Sequence, residues 1–423
     1  MKFYKETEFK DSKEIGKIPK DWKIAKLSEV TKKIKDIDHK MPKKREEGIP
    51  FVSIRYMLKF PDFAFKIDFN DSDLEYISEE DYKYHVQRFN AEKGDILYSR
   101  FGSIGYAKLI ITEQPFIASY SIVLVKPDKS KVYSDFLLCA LNSERTRNQA
   151  RLQTKGATNR NLHLKDIQNL IISIPPMPEQ RLIAEVLSCV DLAIEKVDEA
   201  IARVERLKKG LMQQLLTKGI GHKEFKETPI GKTPKDWEIV RITNLVNVVK
   251  GFAFSSKFFN SQKKGMPLIR IRDLGKNETE AYYSGPYDEV YIVKKGDILI
   301  SMDGEFNAYI WYGPVALLNQ RVCKIWSRDP SKLNDLFLYY QIQKPLKTIE
   351  QQVSQTTVKH LLDRHMERII IPLPSLSEQQ KIGEVLSSIE YVLRLKKRKK
   401  EKLVKMKKKL MDLLLTGKVR VSA

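Results

Sequence analysis

A chain of 423 residues with 42% hydrophobic content is long enough for two or three domains with packed cores, which excludes a disordered protein. Lysine and arginine exceed aspartate and glutamate by 76 to 54, a formal charge of +22, so a polyanion, nucleic acid first, is the partner to consider. Apolar runs such as SIVLV at 121–125 and LIISI at 170–174 are far short of the ~20 residues that span a membrane. The first residues carry no signal-peptide core, and the three scattered cysteines Cys139, Cys189 and Cys323 suggest neither a disulfide framework nor a zinc site. The expectation is a soluble, cytoplasmic protein with no membrane contact.

In chain order, the first feature is EFKDSKEIGKIPKDWKI at 8–24, which returns as EFKETPIGKTPKDWEI at 224–239. The repetition continues in order: GIPFVSIR (48–55) against GMPLIRIR (265–272), KGDILYS (93–99) against KGDILIS (295–301), PEQRLIAEVLS (178–188) against SEQQKIGEVLS (377–387). The offset falls from 217 to 202, so the first copy holds about fifteen extra residues between Arg55 and Lys93. Each copy begins with short β-rich runs punctuated by Gly and Pro, the texture of an α+β domain.

Each copy ends in one long helix. In the first, Ile183, Leu187, Val190, Ile194, Val197, Ile201, Val204, Leu211 and Leu215 alternate in steps of four and three, the seam of a coiled coil, with Lys208 the polar intruder. Pro178 starts this helix and Gly219 stops it. In the second, Ile382, Leu386, Ile389, Leu393, Leu403, Leu410 and Leu414 form the seam, with Lys396, Lys400 and Lys407 at apolar positions. A helix of ~40 residues is roughly 60 Å long and needs a partner along its apolar stripe. The expected fold class is therefore α+β: two similar globular domains (1–175 and 221–373) separated by two long antiparallel coiled-coil helices (176–220 and 374–423), with internal pseudo-two-fold symmetry. Acidic Glu195, Asp198 and Glu199 of the first helix would then face KKRKKEK at 396–402 of the second. A simply solvated basic face is the competing reading of those lysines.

The two divergent domains, the Pro-Lys-Asp-Trp phrase, the Pro-rich leads into Glu-Gln (IPPMPEQRLIAEVLS, IPLPSLSEQQKIGEVLS), the helix exits LMQQLLTKG and LMDLLLTGK, and GDILYSRFGSIG together resemble the specificity subunits of type I restriction-modification systems over essentially the full length. The resemblance implies a non-catalytic, sequence-specific DNA-binding subunit. It would read a bipartite, asymmetric target in double-stranded DNA, one half per domain. Its helices would dock two modification subunits, which methylate adenine, and the restriction subunits that translocate and cut. S-adenosylmethionine, ATP and Mg would belong to those partners, with no cofactor on this chain. One departure is that SRFGSIGYA (99–107) becomes SMDGEFNAYIWYG (301–313), so the Gly-x-x-Gly turn is lost from the second copy.

The residues themselves offer little catalysis. There is no Asn/Asp-Pro-Pro-aromatic loop for a flipped adenine, no methyl-donor glycine turn and no phosphate-binding Gly-Lys-Ser/Thr loop. Asp62 with Asp81 and Lys83 loosely fits a metal-dependent nuclease, which leaves a stand-alone DNA nuclease as one alternative. A coiled-coil interaction protein with no DNA role is another. The six histidines form no metal-spaced cluster. Arg55, Arg100, Arg270, Arg272 and Arg321, near strand ends, are candidates for bidentate contacts to guanine. Ser103 lies in the FGSIG turn, which is either a structural turn or a place for backbone to approach phosphate. Lys155, Asn159 and Arg160 in TKGATNRN, and Thr357 and Lys359 in SQTTVKH, are candidate DNA contacts, surface solubility being the alternative throughout. If the helices set the distance between two reading domains, ~60 Å at ~3.4 Å per base pair bounds the recognised span at roughly 18 base pairs.

Overall fold

The computed structural model describes residues 1–37, 40–154, 161–353 and 360–422. Contacts divide it into two compact units, Met1–Glu199 with Arg398–Ala423, and Ala200–Lys397. This cuts across the sequence division at 175, 220 and 373, because each unit takes half of both long helices.

In the first unit an antiparallel sheet runs Thr31–Lys35, Ile122–Pro127, Ile96–Ser99, Ala107–Leu109 in spatial order. Strand alternation sorts its side chains onto two faces. Ile96, Tyr98, Val123 and Val125 join one core with Phe136, Leu137 and Leu141 of the helix Ser134–Asn142. Leu97, Ile122 and Leu124 join a second core with Phe51, Tyr56 and Phe116 beside a smaller sheet, Ile117–Ala118, Ile49–Val52, Glu75–Ile77. The segment between Arg55 and Lys93 that holds the insertion includes the last of those strands, whose counterpart in the second unit is Tyr282–Tyr283, and the helix Glu79–Val86, capped by Ser78, whose hydroxyl accepts from Asp81 N at 3.1 Å.

The second unit repeats this plan. Its four-stranded sheet is Val246–Lys250, Val322–Ser327, Ile298–Ser301, Ala308–Ile310, with Ile298, Ile300 and Ile325 packed against Phe337 and Leu338 of the helix Asp335–Gln352. Its second sheet has five short strands, one of them Ala316–Leu318 lying parallel to Met266–Ile269. In both units one amide staples helix to sheet. Asn142 bonds the N–H and C=O of Ala107 at 3.1 and 3.0 Å, and Gln343 bonds those of Ala308 at 3.4 and 3.0 Å.

The central helix spans Met177–Lys218 (42 residues) and the C-terminal helix Leu376–Leu415 (40 residues). Within the first unit Lys407 pairs with Asp191 at 2.6 Å and Lys400 with Asp198 at 2.6 Å. Within the second, Lys397 pairs with Glu205 at 2.8 Å, and Lys208 with Glu390. Partner numbers fall on one helix as they rise on the other, so the helices run antiparallel. Three of the lysines that interrupt the apolar seam thus face carboxylates across it and are not simply solvated. Ile183, Leu187, Val190, Val197 and Leu386 of the expected seam are buried, each full burial contributing about 1.5–3 kcal/mol, whereas Ile194, Ile201, Ile389, Leu393, Leu403 and Leu410 are half-buried. The segment 374–423 is not helical to its end. Gly417 turns with φ +71°, and Val419–Ser422 becomes a strand paired antiparallel with Lys2–Lys5.

Candidate nucleic-acid interface

The repeated Trp phrase builds a joint, not a reading surface. Trp22 donates its indole hydrogen to Glu179 at 3.1 Å, and Trp237 does the same to Glu378 at 3.0 Å. The Gln that follows each Glu is buried and ties the Pro-rich lead to the recognition domain. Gln180 accepts from Tyr133 N at 2.8 Å and donates to Pro175 O at 2.9 Å, while Gln379 accepts from Asn334 N and donates to Pro374 O, both at 2.9 Å. Lysines of the two EFK phrases, Lys10 and Lys226, donate to the carbonyls of Trp22 and Trp237, each at 2.6 Å. The joints differ in their last cation. Arg420 binds Glu179 and Asp21 and pairs with Glu6, and hydrogen bonds to these carboxylates, Glu179 first, hold its guanidinium above its usual range. The equivalent His222 sits 2.8 Å from Glu378 and 3.2 Å from Asp236.

Exposed basic surface lies elsewhere on each unit. Between the strands Thr31–Lys35 and Ile49–Val52, the first unit exposes Lys40, Lys43, Lys44 and Arg45. The corresponding stretch of the second exposes Lys257, Lys263 and Lys264 among Phe252, Phe258 and Phe259, an interleaving of cations and rings that suits phosphate contact and base stacking. Sequence reading missed this stretch because rings in a polar run there look like core residues.

The predicted arginines fall into three groups. Arg100 is not a surface reader: it is 7% exposed, ion-paired with buried Asp36, and donates to Leu162 O at 3.1 Å and Asn161 at 3.2 Å. Its strand-end position reads the same in sequence whether the side chain turns in or out, and a buried carboxylate turned it in. Arg270 is half-buried and bound to Asp273 at 3.3 Å. Arg55, Arg272 and Arg321 are exposed, Arg55 beside Asp73 at 3.3 Å and Arg321 beside Asp303 at 3.1 Å. Asp303 also meets His360 at 2.6 Å, so the second unit gathers Arg321, Asp303 and His360 where the first buries Arg100. Ser103 is exposed in its turn, with Gly102 and Gly105 at positive φ, as the turn reading expects. Lys155, Asn159, Arg160, Thr357 and Lys359 lie outside the described residues.

The carboxylates of the nuclease alternative are otherwise engaged. Asp62 binds Lys108 at 2.6 Å, and Asp81 accepts from the Ser78 hydroxyl at 2.8 Å. Among the described residues no group of three His, Cys, Asp or Glu side chains is placed to hold a metal ion, and no helix is long and apolar enough to cross a membrane. Burial pushes the Cys323 thiol up to about 12, which makes it inert.

Residues 19–206 and 234–405 match the type I restriction modification DNA specificity domain. The chain belongs to the type I restriction-modification specificity subunits. The protein named as the MjaX specificity subunit of Methanocaldococcus jannaschii is 30% identical over 100% of this chain and 99% of its own length. The type I restriction enzyme EcoBI specificity subunit of Escherichia coli is 44% identical over 36% of this chain and 32% of its own. The crystal structure of the type I restriction-modification S subunit from M. genitalium covers 95% of this chain and 97% of its own at TM-score 0.58 and 16% identity, a likeness of fold. As a specificity subunit, this chain has the role of conferring DNA-sequence specificity, and neither the nuclease nor the DNA-free coiled-coil alternative is supported.

Proposed function

We propose that this specificity subunit is itself non-catalytic and reads a split, asymmetric target in double-stranded DNA, one half with each unit. The observation that carries the reading is one plan used twice with different chemistry at its loops: lysines and Arg45 in the first unit, lysines with exposed rings in the second. Different loops on a shared frame imply different half-sites. Two modification subunits and the restriction subunits would be its partners in the cytoplasm, bringing S-adenosylmethionine, ATP and Mg. Exposed Leu192, Val385, Val392, Leu395 and Val404 on the long helices support helix docking by such partners. The test is to replace residues 1–170 with a relative's domain and sequence the methylated sites. One half-site should change, and a change in both or in neither would sink the proposal.

A further inference from the structure

The basic stretch of the second unit rests on a layer of rings. Phe254 and Tyr283 lie beneath, 7% and 4% exposed, with centroids 4.7 Å apart. Phe252 stands on Phe254 at 5.2 Å and beside Tyr291 at 5.3 Å, and Phe258 stands on Tyr283 at 5.8 Å. Yet Phe252 and Phe258 are 47% and 42% exposed. Neither ring is loose. A Cβ added at Gly285 would stand 2.6 Å from the Phe258 ring, so that ring fills the place a side chain would take. Rings fixed by packing from below and open to water above mark an interaction surface.

Charge names what covers them. From Lys250 to Arg272 the chain has six cations and no Asp or Glu. Lys250 pairs with Asp363 at 2.6 Å and Arg270 with Asp273, but Lys257, Lys263 and Lys264 pair with no carboxylate among the described residues. A built turn presents two of these lysines. The Asn260 carbonyl oxygen accepts from Gln262 N and Lys264 N, both at 3.1 Å, and its amide donates to Lys264 O at 3.0 Å. Those bonds hold Lys263 at φ +60°, a left-handed conformation uncommon outside glycine and typical of functional loops. An acidic peptide would answer the lysines alone. Nucleic acid is the polyanion that also carries flat aromatic faces.

In a duplex those faces are covered by neighbouring base pairs, so fixed rings can stack on them only where a step opens. We propose that the second unit wedges Phe252 and Phe258 into its half-site and unstacks one base step, with Lys257, Lys263 and Lys264 on the flanking phosphates. This rests on the reading that the second unit contacts DNA. The first unit lacks the device: its matching stretch Lys40–Glu47 has no aromatic residue, and Tyr84 is covered by Lys40 at 4.7 Å. The second half-site is then selected in part by how easily a step unstacks, which favours pyrimidine–purine steps.

The experiment is fluorescence of 2-aminopurine, placed singly at each purine of the second unit's half-site except the methylated adenine, with the full chain assembled with its modification subunits. One position should brighten several-fold on binding. F252A/F258A should abolish that brightening and weaken binding ~10-fold. K257Q/K263Q/K264Q should weaken binding to every sequence and lower the salt slope by about 3, with the brightening kept at saturation. Thermal unfolding checks each variant, and F252A alone decides if the double variant does not fold. No brightening in the parent, or brightening that survives ring removal, overturns the proposal. Ring removal that releases the modification subunits and leaves the fluorescence unchanged would assign the surface to a protein and overturn it too. The domain exchange is scored separately, so a failure of the underlying reading shows as half-sites that do not follow their domains.

Discussion

Trp237 donates its indole hydrogen to Glu378 Oε2 across 3.0 Å, and the Cα of Gly219, just past the end of the central helix, is packed against both. With φ +67°, Gly219 has no room for a side chain: an added Cβ would stand 2.6 Å from the Trp237 ring. Gly219→Ala should destabilise the second unit by about 1–3 kcal/mol or more, through overpacking and backbone strain together. Gly210→Ala, in the same helix with nothing near its Cβ position, should stabilise by about 1 kcal/mol. Opposite shifts in thermal unfolding check the pair, and equal shifts would refute this account of the joint.

Arg420 gathers Glu6, Asp21 and Glu179, with its side chain 9% exposed and that of Glu179 7%. Removing it strands a buried carboxylate, so Arg420→Ala should cost the first unit roughly 3–5 kcal/mol. Acid tests the same cluster. The backbone N–H of Glu8, with help from Arg420, holds the Glu6 carboxyl below its ordinary 4.5. Its contribution is therefore fully present above about pH 4.5 and is lost as pH falls through the lower folded value. Denaturant titrations should show a shallower acid loss in Arg420→Ala than in the parent.

Asp191 and Lys407 pair across the helix seam with side chains only 12% and 20% exposed. Burial raises the Asp191 carboxyl above its ordinary range and Lys407 offsets that only in part. Lys407→Met alone should destabilise at neutral pH, and the loss should shrink as pH is lowered toward the raised value, because protonation removes the stranded charge. Asp191→Leu with Lys407→Met should be neutral or stabilising by about 1–4 kcal/mol. Denaturation midpoints at two pH values decide it. A single variant whose deficit against the parent grows at acid pH would overturn the assignment.

Arg100 and Arg272 separate structure from recognition. Arg100→Ala leaves Asp36 buried without its partner and should lower the unfolding transition of the first unit. Arg272→Ala should leave unfolding unchanged while weakening DNA binding. A loss of ~1–3 kcal/mol with relaxed sequence preference marks a base contact, and a uniform loss with a salt slope lower by ~1 marks a phosphate contact. Unchanged affinity at every salt concentration would remove Arg272 from the interface.

The duplication, the long helices and their antiparallel pairing were legible in the sequence because they rest on periodicity, and periodicity survives at any orientation of the fold. The lysines of the C-terminal seam were visible too, and Asp198, expected opposite 396–402, does meet Lys400, but the pairing of Asp191 with Lys407 needed the register of the folded helices. Reading residues were harder to see. Arg100 and Arg272 sit in similar local sequence, and what separates them is Asp36, 64 residues away from Arg100 in the chain. The Glu-Gln pair was noticed as a repeated phrase without a physical role, since its partners Trp22 and Tyr133 are remote until the chain folds.

The bond between Trp22 and Glu179 spans 157 residues, and that between Trp237 and Glu378 spans 141. Each therefore acts as a clasp that closes on the two ends of a recognition domain, with Tyr133 and Asn334 the points between them that the neighbouring Gln180 and Gln379 also hold. Material between the clasps is interchangeable: a foreign segment that brings the same Trp at its start and the same Glu-Gln at its finish should seat on these helices, whatever DNA it reads. Two short shared stretches of gene would suffice as crossover points, so a new target preference can be acquired by exchange in one step instead of by gradual mutation of contacts.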